Sequence, residues 1–271
     1  GTHANLVAYA AVLKPNDTIL SLDLNMGGHL SHGAAVSQVG KLYNIRHYCL
    51  DTNGYIDMAH VEATAKAFKP QLIVAGASAY SREIDFKRFA EIAHDNSALL
   101  LADIAHIAGL VAAGEHPTPF GYADIVTTTT QKTLRGIRGG LVFCKPKLSK
   151  KVDSALFPGM AGGPHMHTIA AKAVTAEEAL APDFVNYIRQ VKANAKAMAA
   201  EFTQMGYEVV TGGTDNHMFL LNFTHTHPNL TGKAVQDTLD KYSITLNKNS
   251  VPLFPAQAGV ILSGRGSLVL R

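Results

Sequence analysis

The sequence predicts an α/β protein with a mainly parallel sheet, followed by part of a smaller α+β unit. Short β-branched or apolar runs alternate with amphipathic stretches of helical length, the pattern of successive βαβ units. The chain has 271 residues, 47% hydrophobic and 17% charged, enough apolar side chain to bury a sizeable core. Beyond Gly206 the spacing changes to shorter strands around a single helix, so the first pattern does not run to the end.

Strands are predicted at 18–22, 72–75, 98–102, 125–128 and 141–144, each a β-branched or apolar run of strand length. Between them, 57–68 and 85–94 begin on an aspartate and carry apolar residues three or four apart, as crossover helices do. Next come two helices rich in Ala, Glu, Lys and Leu, at 167–180 and 183–205, with Ala181-Pro182 marking a break. The last part reads as strands at 208–210 and 218–222 and a helix over 231–242. The organisation expected is a large domain over 1–182, lacking its N-terminal part, and over 183–271 a linking helix with a partial C-terminal domain. The chain opens at Gly1 and ends at Arg271 directly after an apolar run, as a piece of a longer protein would.

Composition narrows the function. A net charge of +3 without long basic runs argues against a nucleic-acid binder. Cys49 and Cys144 lie far apart and outside any Cys-x-x-Cys pair, so neither a disulfide framework nor a thiolate zinc site is expected, in keeping with a cytoplasmic location. No apolar run reaches the roughly 20 residues that span a bilayer, so no membrane association is expected. His165-x-His167 and His225-x-His227 each lack a third ligand, and no metal is expected.

The most informative segment is 127–140, where Lys132 follows a strand and leads into Gly-rich chain. By spacing alone that lysine reads more readily as a solvated surface residue. Asp103 stands at the end of another predicted strand, where open α/β sheets present ligand-binding groups, although an aspartate there also serves as a helix cap. Together the two suit pyridoxal phosphate (PLP) chemistry. An amine holds the cofactor as an imine, and a carboxylate keeps the pyridine nitrogen protonated.

Thr127–Gly140 resembles the Thr-Thr-Thr-His-Lys-Thr-Leu-x-Gly-Pro-Arg-Gly-Gly signature of serine hydroxymethyltransferases. Asp103-Ile104-Ala105-His106-Ile107-Ala108-Gly109-Leu110 is similar to their Asp-x-Ala-His-x-x-Gly-Leu segment, and Gly27-Gly28-His29-Leu30-Ser31-His32-Gly33 to their Gly-Gly-His-Leu-Thr-His-Gly. Further resemblances at 157–159, 162–164, 212–217 and 247–252 extend over nearly the whole chain.

The resemblance implies an aspartate-aminotransferase-like (PLP fold type I) large domain and the reversible conversion of serine and tetrahydrofolate, the co-substrate, to glycine and 5,10-methylenetetrahydrofolate. It implies that Lys132 carries pyridoxal 5'-phosphate, that Asp103 pairs with the pyridine nitrogen and that His29 stacks on the ring. His106 and Ser78 fall on the phenolic-oxygen and substrate side, and Gly1 and Thr2 on the small-residue turn that holds the phosphate at a helix N-terminus. Gly162 and Gly163 match a loop that reaches the neighbouring subunit's cofactor, which makes a homodimer, or a tetramer of such dimers, the expected assembly. Asn249 and Arg265 fall on the substrate side, Arg265 as the bidentate partner of the substrate carboxylate. Tyr80 and Arg82 are expected at the site entrance.

Departures from the family pattern leave other functions open. Gln131 replaces the His before the lysine, Ile137 replaces a Pro, the match around Arg265 is one residue short, and the family's N-terminal segment with its Glu and Tyr pair is absent. The alternatives are a folate-independent aldolase or transaldolase acting on threonine-like β-hydroxy amino acids, and an impaired PLP-binding relative.

Overall fold

The computed structural model describes residues 1–251 and 254–263. In chain order the first part comprises α1 (Thr2–Val12), β1 (Thr18–Leu22), α2 (Gln38–Leu42), β2 (Asn44–Tyr48), α3 (Met58–Phe68), β3 (Leu72–Ala75), α4 (Phe86–Asp95), β4 (Leu99–Asp103), α5 (Ala108–Ala112), β5 (Ile125–Thr129) and β6 (Gly140–Cys144). The strands form one sheet in the order β2-β1-β3-β4-β5-β6, parallel except for β6, which runs antiparallel to β5 at the edge.

Alternation along the strands builds a three-layer core. Leu20, Leu22, Ile73 and Leu100 point to the face covered by α3 and α4 through Val61, Ala65, Phe86 and Phe89. Ile19, Leu72, Val74 and Leu101 point the other way, to Ala8 and Tyr9 of α1. Phe89 is fully buried and its ring lies 5.5 Å from that of Tyr48. Truncating such a side chain to Ala costs about 3–5 kcal/mol.

Both crossover helices start where their aspartates predict. Asp57 Oδ1 accepts from His60 N–H at 2.9 Å and Asp85 Oδ1 from Arg88 N–H at 2.9 Å, so each aspartate is the cap and the helix begins one residue later. Strand β4 is shifted by one from the expected 98–102, which makes Asp103 its last residue. Strand β2 escapes sequence reading because it is a half-exposed edge strand carrying Asn44, Arg46 and His47.

The chain continues through α6 (Ser149–Ser154), α7 (Met166–Leu180) and α8 (Pro182–Gln204). Pro182 does not separate the last two helices by itself. It occupies the first turn of α8, where its missing N–H leaves no bond unmade, and the break is the extended Ala181. Phe184, Ile188, Val191, Ala195 and Ala199 form the buried stripe of α8, which meets Leu110 near its start and Phe219 near its end. By contrast, α7 buries only Thr175 and leaves Met166, Ile169, Val174 and Leu180 exposed; Leu156 and Phe157, earlier in the chain, are exposed too.

A second, antiparallel sheet follows, with β7 (Glu208–Val209), β8 (Met218–Asn222), β9 (Asn247–Val251) and β10 (Phe254–Ser263) in the order β7-β8-β10-β9. Helix α9 (Gly232–Asp240), capped by Thr231, packs Val235 and Leu239 against its core. Val210 falls in a helical turn rather than in the strand expected over 208–210.

Candidate active site

A cleft opens where four parallel strands end. Its walls come from the chain after β1 (His29), after β3 (Ala77, Ser78), at and after β4 (Asp103, Ala105, His106) and at and after β5 (Thr129, Gln131, Lys132), with Gly1 and Thr2 at the start of α1 and Arg138 completing it. This is the end of an open α/β sheet at which ligands bind. The backbone is packed tightly there. A Cβ on Gly27, whose φ is +98°, would lie 2.3 Å from the Ala79 carbonyl oxygen, and Gly27 O accepts from Ser78 N–H at 2.8 Å, so the loops carrying His29 and Ser78 touch.

Asp103 is the most constrained group. Its Oδ2 accepts from Asn5 Nδ2 at 2.7 Å and from His32 Nε2 at 2.8 Å, and its Oδ1 from Ala105 N–H at 3.0 Å. Burial by itself would push its pKa up. The bonds from His32, Asn5 and the Ala105 amide outweigh burial and hold the carboxyl well below the usual carboxylate range, so it is ionised. Asn5, fully buried in α1, also donates to Ser31 Oγ at 2.9 Å and accepts from Thr127 Oγ1 at 2.6 Å. One amide therefore joins α1, the His29 loop, the end of β4 and β5.

His29 is held by its other side. Ser31 N–H donates to its Nδ1 at 3.1 Å, and Ser31 Oγ lies 2.7 Å from the same atom, which assigns the ring proton to Nε2. Burial first, and then His32, lower its pKa to about 4, so it is neutral at physiological pH. Burial, followed by Lys132 and His217, depresses His106 well below the ordinary imidazole value. Thr133 pins the Lys132 loop, donating to the His106 carbonyl at 2.9 Å and accepting from Gly109 N–H at 2.9 Å. Gln131 Oε1 accepts from Gly139 N–H at 3.2 Å and thereby closes the turn between β5 and β6.

Of the residues singled out in the sequence, the structure brings Lys132, Asp103, His29, His106, Ser78, Gly1 and Thr2 to this one cleft. Gly162 and Gly163 are exposed and outside it, with open space where a Cβ would stand. Asn249 is half-buried in β9 and does not line the cleft, and Arg265 lies outside the described residues. Tyr80 and Arg82, expected at the entrance, do not line the cleft. Tyr80 is buried, and Arg82 reaches across to Thr211 and Asp215. Sequence reasoning missed Arg138 as a cleft residue and Asn5 and His32 as the buried donors behind Asp103.

The residues fit PLP by their own chemistry. An ionised carboxylate suits a protonated pyridine nitrogen, a neutral imidazole suits the face of the ring, and α1 starts at Gly1 with no side-chain cap on its first-turn N–H groups, as an anion site requires. Among the described residues, His29, His32 and Asp103 also bring ligand atoms within 4.8 Å of one another, a grouping that could hold a metal ion but coincides with this site. His165 and His167 contact each other, with ring centroids 5.5 Å apart, and His225 Nδ1 pairs with Glu208.

Fold and cleft together define a class, an α/β chain of the aspartate-aminotransferase-like, fold type I architecture, with a lysine and an ionised aspartate meeting beyond the strand ends. The chain belongs to the serine hydroxymethyltransferase family, whose family model, described as "Serine hydroxymethyltransferase", matches residues 1–265. Curated relatives bearing that name include one from Francisella tularensis subsp. novicida (strain U112), 53% identical over 257 residues, 94% of this chain and 61% of the relative. Another, from Desulforapulum autotrophicum, is 52% identical over 265 residues, 97% of this chain and 63% of the relative. The chain thus spans about six tenths of the length of the curated relatives it matches. No helix among the described residues is long and apolar enough to cross a membrane.

Proposed function

We propose that this chain carries the cofactor-binding core of a serine hydroxymethyltransferase, which converts serine and tetrahydrofolate reversibly to glycine and 5,10-methylenetetrahydrofolate. The observation that carries the reading is the shared cleft of Lys132 and an ionised Asp103 held by Asn5, His32 and the Ala105 amide. When bound, PLP supplies an electron-withdrawing ring that stabilises negative charge at the amino acid's Cα. Lys132 is the covalent anchor. Asp103 holds the proton on the pyridine nitrogen, and its three donors keep its charge in place. His29 packs on the ring face, the N-terminal turn at Gly1 and Thr2 receives the phosphate, and Ser78 and His106 border the substrate side.

The family motif assigns Arg265 and Asn249 to the substrate side, Arg265 as the carboxylate clamp and Asn249 from β9, outside the cleft wall formed by the sheet's loops. Assembly is as a homodimer, or a tetramer of such dimers, in which Gly162 and Gly163 reach the partner's cofactor. The exposed glycines and the uncovered apolar residues of α7 support this reading. The chain divides at 182/183 into the cofactor domain and the linking helix with its smaller domain, and it works in the cytoplasm. A folate-independent aldolase is the second reading. It is favoured by Gln131, which accepts the Gly139 N–H and does not titrate.

Borohydride reduction of the full-length protein with PLP, followed by peptide mapping, labels Lys132. A label on another lysine, or none, sinks the assignment. Serine turnover measured with and without tetrahydrofolate then divides the transferase from the aldolase.

A further inference from the structure

His106, a wall of the cleft, is backed by a residue that the cofactor-binding sheet does not supply. His217, almost fully buried just before β8 of the second sheet, stacks on it with ring centroids 5.9 Å apart and an interplanar angle of 27°. That distance and tilt lie in the range of favourable offset stacking. The segment carrying His217 is fastened to the loop after β3. Arg82 donates from Nε to Thr211 Oγ1 at 2.9 Å, from Nη2 to the Thr211 carbonyl at 2.5 Å and from Nη1 to Asp215 Oδ1 at 3.0 Å. Asn216, fully buried, donates from Nδ2 to the Tyr80 carbonyl at 2.8 Å, and Asp215 N–H donates to the Ser81 carbonyl at 2.8 Å. Ser78 of the cleft belongs to the same loop.

We propose that His217 is a positioning residue for the reaction, its ring fixing the plane of His106 from behind while the 211–216 network fixes His217 itself. The second sheet then takes part in shaping the cleft rather than merely flanking it. A flat ring is what the contact requires. Hydrogen bonds from Arg82, Thr214, Asn216 and Asp215 secure the segment, and they stay in place when the His217 ring is changed. Placing one of two reacting groups wrongly by about an ångström costs up to about 100-fold in rate.

The proposal rests on the PLP-dependent reading for its catalytic readout, and a second readout stands apart from that reading. In full-length, cofactor-free protein with isotope-labelled histidine, removing the neighbouring ring shifts the His106 resonances in His217→Leu, which fills the space without a flat face, and in His217→Ala. In His217→Phe they stay close to the shifts of a stacked ring. With PLP bound, the Leu and Ala variants lose about 10- to 100-fold in kcat with little change in KM for serine, and the visible circular dichroism of the bound cofactor changes. The Phe variant recovers most of both. Unmoved His106 resonances in the Leu variant overturn the proposal whether or not the protein takes PLP. So does a Phe variant as impaired as the Leu variant. A wild-type protein that never acquires the cofactor band defeats the functional reading alone and leaves the resonance test to decide the positioning role.

Discussion

Asp103 and Asp124 sit at opposite ends of neighbouring strands, β4 and β5, and both are buried, yet they are answered by different chemistry. Asp124 lies 3.0 Å from Lys145 Nζ, 3.6 Å from Lys147 Nζ and 2.9 Å from His94 Nε2, and it accepts from Leu100 N–H at 3.0 Å. The donors to Asp103 are an amide, an imidazole and a backbone N–H. At Asp124 the charge is cancelled locally, as structural ion clusters cancel it. Asp103 is held by these three hydrogen bonds and its carboxylate lines the cleft, which is how a site keeps a charge for a cationic partner.

The largest expected effect sets the two aspartates directly against each other. Asp103→Asn lowers serine turnover of the full-length protein about 10²- to 10³-fold with PLP at saturation, whereas Asp124→Asn changes it little. Equal losses in steady-state kinetics would erase the distinction. Next in size is Gln131→His, which restores a titratable ring beside Lys132. It raises folate-dependent serine cleavage about tenfold and PLP affinity less, as turnover assays and cofactor titration measure. Unchanged turnover makes Gln131 a neutral replacement.

Stability reverses the ranking. Asp124→Asn costs about 1–3 kcal/mol in denaturant unfolding, because it uncouples two lysines that are themselves partly exposed. Burial tends to raise the Asp124 pKa, but His94, the Leu100 amide and Lys145 bring it below the ordinary value. A depressed carboxyl contributes stability that is complete above about pH 4 and is lost as pH falls through the lower, folded-state value. The variant therefore loses its deficit in acid. If the deficit persists unchanged at low pH, the ion cluster is not its cause.

A further pH effect belongs to His29. Its folded pKa of about 4 lies below the ordinary imidazole value of about 6.5, so between these limits the unfolded chain binds the proton and the folded chain does not. Stability consequently falls as pH drops from about 6.5 to 4. His29→Phe flattens that part of a melting-temperature-against-pH curve. An unaltered slope places the titration elsewhere.

The sheet and crossover helices were legible because local rules coincided with the tertiary outcome. Asp57 and Asp85 cap helices with apolar periodicity, and the central strands are apolar runs buried on both faces. Lys132 and Asp103 were legible through extended motifs, whereas composition alone left each as ordinary as any surface lysine or capping aspartate. Asn5 and His32 were not, since their bonds to Asp103 span 98 and 71 residues and no short-range pattern encodes such a meeting. The bonds of Arg82 were illegible for a related reason. Its partners Thr211 and Asp215 lie on the second sheet's approach, 129 and 133 residues away, so no local pattern pairs them.

Asn5 has a consequence for ligand size. Its amide grips Asp103 on one wall of the cleft, while the helix it belongs to begins three residues earlier, at Thr2, on another. The span from the helix start to that carboxylate is thus built into a single turn of α1 and works as a fixed gauge. Under the proposed reading, a pyridoxal ring lacking its phosphate can touch one jaw of the gauge or the other but not both.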